Sequence, residues 1–161
     1  MQPAWLLCVG LASAPAQGSA PAAWQARFDE LWATRDDPKV GRQLGPLVRD
    51  AVAADPGSFE ANWRQASLLA WSADGAADGS DLKGQLGKSA WAAGDRATEA
   101  RPDDVRGHYY SGVGLGLYSE GVGILTALRE GLEGKFRDRI QAALRIDKDF
   151  LEGAPQVVWG R

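Results

Sequence analysis

Apolar side chains recur along this chain at the spacing of one face of an α-helix. Trp24, Phe28, Leu31 and Trp32 fall at i, i+4, i+7 and i+8, and Phe136, Ile140, Ala143 and Leu144 repeat the same spacing. Leu44, Leu47, Val48, Ala51 and Val52 form a further stripe. Pro38, Pro56 and Pro102 stand in or just before the first turn of a following helix, where proline is tolerated, and each stops the helix that precedes it. The pattern predicts helices over 22–35, 39–54, 58–73, 82–100, 103–118 and 121–146, with a last one beginning near 153. Val, Ile, Thr and Tyr are sparse, which leaves few segments able to serve as strands. The expected fold class is therefore all-α.

The helices are punctuated at a constant interval. Residues 49–56 (RDAVAADP), 95–102 (DRATEARP) and 141–148 (QAALRIDK) start 46 positions apart, and in each an alanine-containing helix runs into a short polar turn. In the first two copies Trp63 matches Tyr109 and Ala66 matches Gly112; the third copy is the loosest. Repeats of this length signal antiparallel helix pairs stacked as an α-α superhelix, the layout of tetratricopeptide repeats (TPR).

Charge and composition narrow the picture. A chain of 161 residues that is 45% hydrophobic supports one domain with its own core. A net charge of -3 without a basic block gives no electrostatic footprint for nucleic acid. Residues 1–26 contain no charged side chain, the amino terminus alone supplying positive charge, and residues 4–12 (AWLLCVGLA) form an apolar run followed by small residues. That run fits the h-region of a signal peptide with cleavage after Ala16, leaving 17–161 as a repeat domain that is periplasmic or otherwise exported. Cys8 is preceded by Leu7 where a lipoprotein signal needs a small residue, so a lipid anchor is the lesser expectation. Cleavage leaves no cysteine for disulfides, thiol catalysis or thiolate metal ligands.

Motifs that resemble catalytic or ligand loops fail on inspection. The acidic segment 74–81 lacks the oxygen ligands of an EF-hand at its third and twelfth positions, Ala76 and Gln85, and is expected to be a loop in which Ser80 or Asp81 caps the next helix. Gly112, Gly114, Gly116, Gly121 and Gly123 never form a phosphate-binding pattern and instead imply close helix packing or a kink. The pairs Asp36-Asp37 and Asp103-Asp104 stand at helix starts, where carboxylates cap free N–H groups. His108 is the only histidine; an enzyme built on it is the alternative reading, but a single His beside two tyrosines is expected to be a hydrogen-bonded packing residue. No metal and no cofactor is implied.

Segments of the last third carry a family resemblance. Arg101-Pro102-Asp103, Gly107-His108-Tyr109-Tyr110, the glycine run 114–116, residues 120–125 (EGVGIL), Gly153-Ala154-Pro155 and Gly160-Arg161 are similar to the TRAP-transporter-associated T component (TatT) family. The resemblance implies a TPR-like fold, a periplasmic or lipid-anchored location, a periplasmic solute-binding protein as partner, and a pore or groove for a hydrophobic ligand. The sequence ends inside the helix that would open another repeat, and Val157, Val158 and Trp159 give that edge an apolar face; a truncated gene and a covering subunit, including a homo-oligomer, are both open.

In such a layout the first helix of each pair lines the concave face. The register set by Pro56 and Pro102 puts Glu60, Trp63, Ser67 and Trp71 on one stripe and Arg106, Tyr109, Val113 and Leu117 on the next, with His108 beside them. These are the candidate ligand- or partner-binding residues. A shift of one residue turns Trp63 and Tyr109 into core positions, the commoner place for aromatic residues at helical spacing.

Overall fold

Three alanines set the rhythm of the fold. In the computed structural model, which describes residues 22–160, Ala51, Ala97 and Ala143 each accept the last main-chain hydrogen bond of a helix, from Asp55, Arg101 and Asp147 at 3.1, 3.0 and 2.9 Å. The three donors share one extended conformation, with φ/ψ of -146/92, -143/88 and -155/98. The 46-residue period is thus a repeat of backbone geometry as well as of residue type.

The helices are α1 (Ala23–Trp32), α2 (Pro38–Ala54), α3 (Phe59–Asp74), α4 (Asp81–Ala100), α5 (Val105–Val122), α6 (Ile124–Arg129), α7 (Leu132–Ile146) and α8 (Phe150–Trp159), with no strand among the described residues. None of these helices is long and apolar enough to cross a membrane. The apolar run 4–12, Cys8 and the expected cleavage site lie outside the described residues. Successive helices pack on one another from α1 to α5, then α5 on α7 and α7 on α8.

Side-chain caps begin several of the helices. Asp37, Ser58, Ser80 and Asp104 accept hydrogen bonds from the main-chain N–H groups of Lys39, Ala61, Lys83 and Arg106, satisfying donors that a helix start leaves free. Ser58 and Asp104 are one period apart, and the next such position is Phe150, which has no acceptor to offer. There the chain makes a left-handed turn through Leu151, Glu152 and Gly153, with φ of 47, 60 and 89°, before right-handed helix resumes.

One predicted helix is divided. Instead of a single helix over 121–146, α5 runs on to Val122, Gly123 at φ 77° breaks it, and α6 is separated from α7 by Gly131 at φ 63°. Both breaks fall on glycine, which reaches left-handed backbone without a Cβ clash. The Tyr118 hydroxyl donates to the Glu130 carboxylate at 3.1 Å and ties the end of the short helix back to α5.

Three apolar clusters hold the layers together. Phe28, Leu31, Leu44 and Val48 join α1 to α2; Ala70, Ala73, Ala90 and Leu117 join α3, α4 and α5; Leu115, Tyr118 and Leu132 join α5 to α7. Each fully buried large side chain among them, such as Phe28 or Leu44, contributes about 1.5–3 kcal/mol. Between α4 and α5 the packing is closer still. A Cβ on Gly87, Gly94, Gly114 or Gly121 would lie under 3.0 Å from the opposing backbone, so these helices touch through their main chains, as the glycine density predicts.

Candidate functional site: an aromatic and arginine face

Helices α1, α3, α5 and α8 carry rings that meet end to end. Trp71 lies edge-on to Trp32 at 6.4 Å, Trp32 stacks on Phe28 at 5.4 Å, and Phe28 meets Trp63 edge-on at 6.5 Å. Trp63 stacks on Tyr110 at 6.3 Å, Tyr110 meets Tyr109 at 5.0 Å, and Tyr109 meets Phe150 at 5.4 Å. The ladder therefore joins α1, α3, α5 and α8, elements that the sequence separates by dozens of residues. Edge-on and offset contacts of this kind stabilise beyond the area they bury, by about 0.5–1.5 kcal/mol each.

Arginines are threaded through it. Arg64, only 5% exposed, places its guanidinium 4.3 Å from the Trp63 ring centre and 5.5 Å from that of Trp24. Its Nε and Nη2 donate to Asp29 on α1 at 3.1–3.2 Å, and Nη1 donates to Glu60 at 2.7 Å. Arg106 lies 4.9 Å from the same Trp63 ring and 4.8 Å from Phe59, and it donates twice to Asp104, at 2.9 and 2.7 Å. A guanidinium buried as far as that of Arg64 needs such partners, because an unpaired one would be strongly destabilising.

Glu60 is the acidic hub. It accepts from Trp63 Nε1 at 2.9 Å, from Arg64, and from Arg101 at 3.0 Å, with Arg106 3.8 Å away. Burial works to raise its pKa, but the hydrogen bonds from Trp63 and Arg64 and the charges of Arg106 and Arg64 outweigh it and hold the carboxyl below its ordinary 4.5. Asp104 is lowered in the same way, burial being overcome by Arg106. Burial, with Tyr109 adding to it, pushes the Tyr110 hydroxyl up to about 12 against the opposing charges of Arg35 and Arg106. Both acids are thus fixed as carboxylates and Tyr110 as a neutral phenol at neutral pH, an arrangement suited to holding shape rather than moving protons.

The candidate residues separate into two groups. Glu60, Trp63 and Arg106 come together as described, and Trp71 and Tyr109, both half-buried, occupy the ladder near its two ends. Ser67 is turned inward, its hydroxyl donating to the Arg64 carbonyl at 2.9 Å. Leu117 is buried among Ala70, Ala73 and Ala90, with Val113 packed against that cluster. His108 is buried with Nε2 2.8 Å from the Pro102 carbonyl, while Nδ1 has no partner. The one-residue register matters, because Trp63 stacks on Tyr110 and not on its repeat counterpart Tyr109.

Arg64, Tyr110 and Asp29 lie off the two stripes that the sequence marks, as do Phe28, Trp32 and Phe150 of the ladder. Arg64 stands four residues after Glu60, a spacing that favours an ion pair on one helix face and is the local signal for it. Asp29 is 35 residues from Arg64, and nothing local marks it.

No protein-family model, no curated protein and no solved structure matches this chain.

Proposed function

We propose that this protein is a non-catalytic binding module of the cell envelope, a TPR-like α-α superhelix whose first-helix face receives a protein partner or an apolar small ligand. The observation that carries this reading is the ring ladder itself, which runs without a gap through α1, α3, α5 and α8. Its cations Arg64 and Arg106 are neutralised by Asp29, Glu60 and Asp104, so the face favours apolar and ring-edge contacts over recognition of charge. Large rings with few free rotors are efficient binding elements, since little side-chain entropy is lost when they are covered.

Supporting the same reading, the 46-residue repeat of turn geometry and the all-helical order fit a stacked-pair architecture. A TRAP-type solute-binding protein is the partner that the sequence resemblance suggests. The alternative of an enzyme using His108 draws no support from a ring engaged with a main-chain carbonyl.

Photo-crosslinking in the native host tests the proposal. A photoreactive residue placed at Trp24 or Tyr109 should give a discrete protein adduct, or native mass spectrometry should show a co-purifying apolar ligand that is lost in Trp24→Ala/Tyr109→Ala. The same crosslinker at the exposed Asp138 of α7 should give no adduct. Absence of both adduct and ligand from the first-helix positions, in protein shown to be folded by circular dichroism, would overturn the reading.

A further inference from the structure

Away from the middle of the ladder, a second feature is built for a different chemistry. At the turn between α1 and α2 a cleft of about 340 Å³ is lined by Arg35, Asp36, Pro38, Gly41, Arg42 and Trp71. Its size suits a small molecule.

The two arginines here differ from those of the ladder. Arg35 is held in place by Trp32: its guanidinium lies 4.4 Å from that ring's centre, and Nη1 donates to the Trp32 carbonyl at 2.9 Å. Its buried Nε has no hydrogen-bond partner. An arginine has five N–H donors, and that carbonyl is the one acceptor Arg35 has among the described residues. Arg42 is exposed and forms no ion pair among the described residues. One acid, Asp36, shares the rim, so the cleft carries two cations against one anion. Trp71 and Pro38 supply flat apolar surface. Gly41 lets α2 approach the turn closely, since a Cβ there would lie 3.0 Å from the Arg35 carbonyl oxygen and 3.7 Å from Trp71.

We infer that this cleft binds a small organic acid with a flat apolar body, its carboxylate on Arg35 and Arg42 and its ring against Trp71. A planar guanidinium matches a carboxylate through paired charge-assisted hydrogen bonds, and the indole supplies the contact that a bare inorganic anion would not use. The cleft adjoins the Trp71 end of the partner-binding face, but its test is separate, because neither Trp24 nor Tyr109, the positions that probe that face, lines the cleft.

Titration of ¹⁵N-labelled protein tests it, following the Trp71 indole N–H signal identified by its loss in Trp71→Phe. With 2-naphthoate the signal should shift to saturation, whereas the neutral 2-naphthalenemethanol and inorganic phosphate should each shift it at least tenfold less at equal concentration. Arg42→Gln, a change at an exposed position, should weaken naphthoate binding about tenfold with the rest of the spectrum preserved. No Trp71 response to naphthoate, equal affinity for the alcohol, or an unchanged affinity in Arg42→Gln would each overturn the site.

Discussion

Asn62 and His108, one 46-residue period apart, each hold the carbonyl of the proline six residues before them at 2.8 Å, Asn62 through Nδ2 to Pro56 and His108 through Nε2 to Pro102. The Asn62 side chain is completed by Arg96, whose Nε donates to Oδ1 at 2.7 Å. One period after Arg96 the chain has Ala142, and the second ring nitrogen of His108, Nδ1, is left buried without a partner. The lone histidine is thus a variant of a turn clamp.

This equivalence predicts how the position tolerates change. His108→Asn should remain within about 1 kcal/mol of the parent, while His108→Ala, which removes both the buried ring and its bond to the Pro102 carbonyl, should cost about 1–3 kcal/mol. Asn62→Ala should cost at least as much, because it also strips Arg96 of an acceptor. Urea denaturation with a common m-value measures all three. A His108→Ala protein as stable as the parent would remove the clamp from the account.

Glycines in this chain should separate by location rather than by helix propensity. Gly94→Ala and Gly114→Ala each drive a methyl into main chain, at Ser111 and at Trp91, and should cost about 3 kcal/mol or more, since backbone cannot move aside as a side-chain tip can. Gly134 is exposed in α7, with open space around its Cβ position, and Gly134→Ala should stabilise by up to about 1 kcal/mol. Thermal melts of the three variants decide it; similar signs for all of them would contradict the main-chain contact.

Stability should fall at both ends of the pH scale for reasons that can be assigned. Because the Glu60 carboxyl is held below 4.5 in the folded protein, its contribution is present above that pH and is lost as pH falls through the lower folded value. Glu60→Gln should therefore flatten the acid limb of a stability profile. Tyr110 is raised from 10.0 to about 12, so its contribution is intact below pH 10 and is lost as pH rises toward 12; Tyr110→Phe should flatten the alkaline limb. Limbs unchanged in slope would show that other groups govern them.

Features that repeat are legible in the sequence, and features made by distant residues are not. The 46-residue punctuation, the capping by Asp37, Ser80 and Asp104, and the close approach of glycine-rich helices follow from local chemistry and recur in the structure. The division of 121–146 into two helices turns on left-handed backbone at Gly123 and Gly131, yet Gly114 and Gly121 stay helical because α4 packs against them. Residue type alone does not distinguish those cases. The ladder is hidden for a similar reason: pairing Trp63 with Tyr110 depends on how α3 and α5 are rotated against each other, and seating Arg64 depends on Asp29 from α1.

The ladder also equips the molecule with an optical gauge. Excitation passes readily between aromatic rings 5.0 to 6.5 Å apart, so Tyr109 and Tyr110 should hand their emission to Trp63, and the Trp32 and Trp71 indoles should couple in ultraviolet circular dichroism. Any slide of α1 or α3 that parts or rotates the Trp32 and Trp71 rings would change that coupled signal. The stacking of these helices can therefore be followed in solution by light alone, with no label attached.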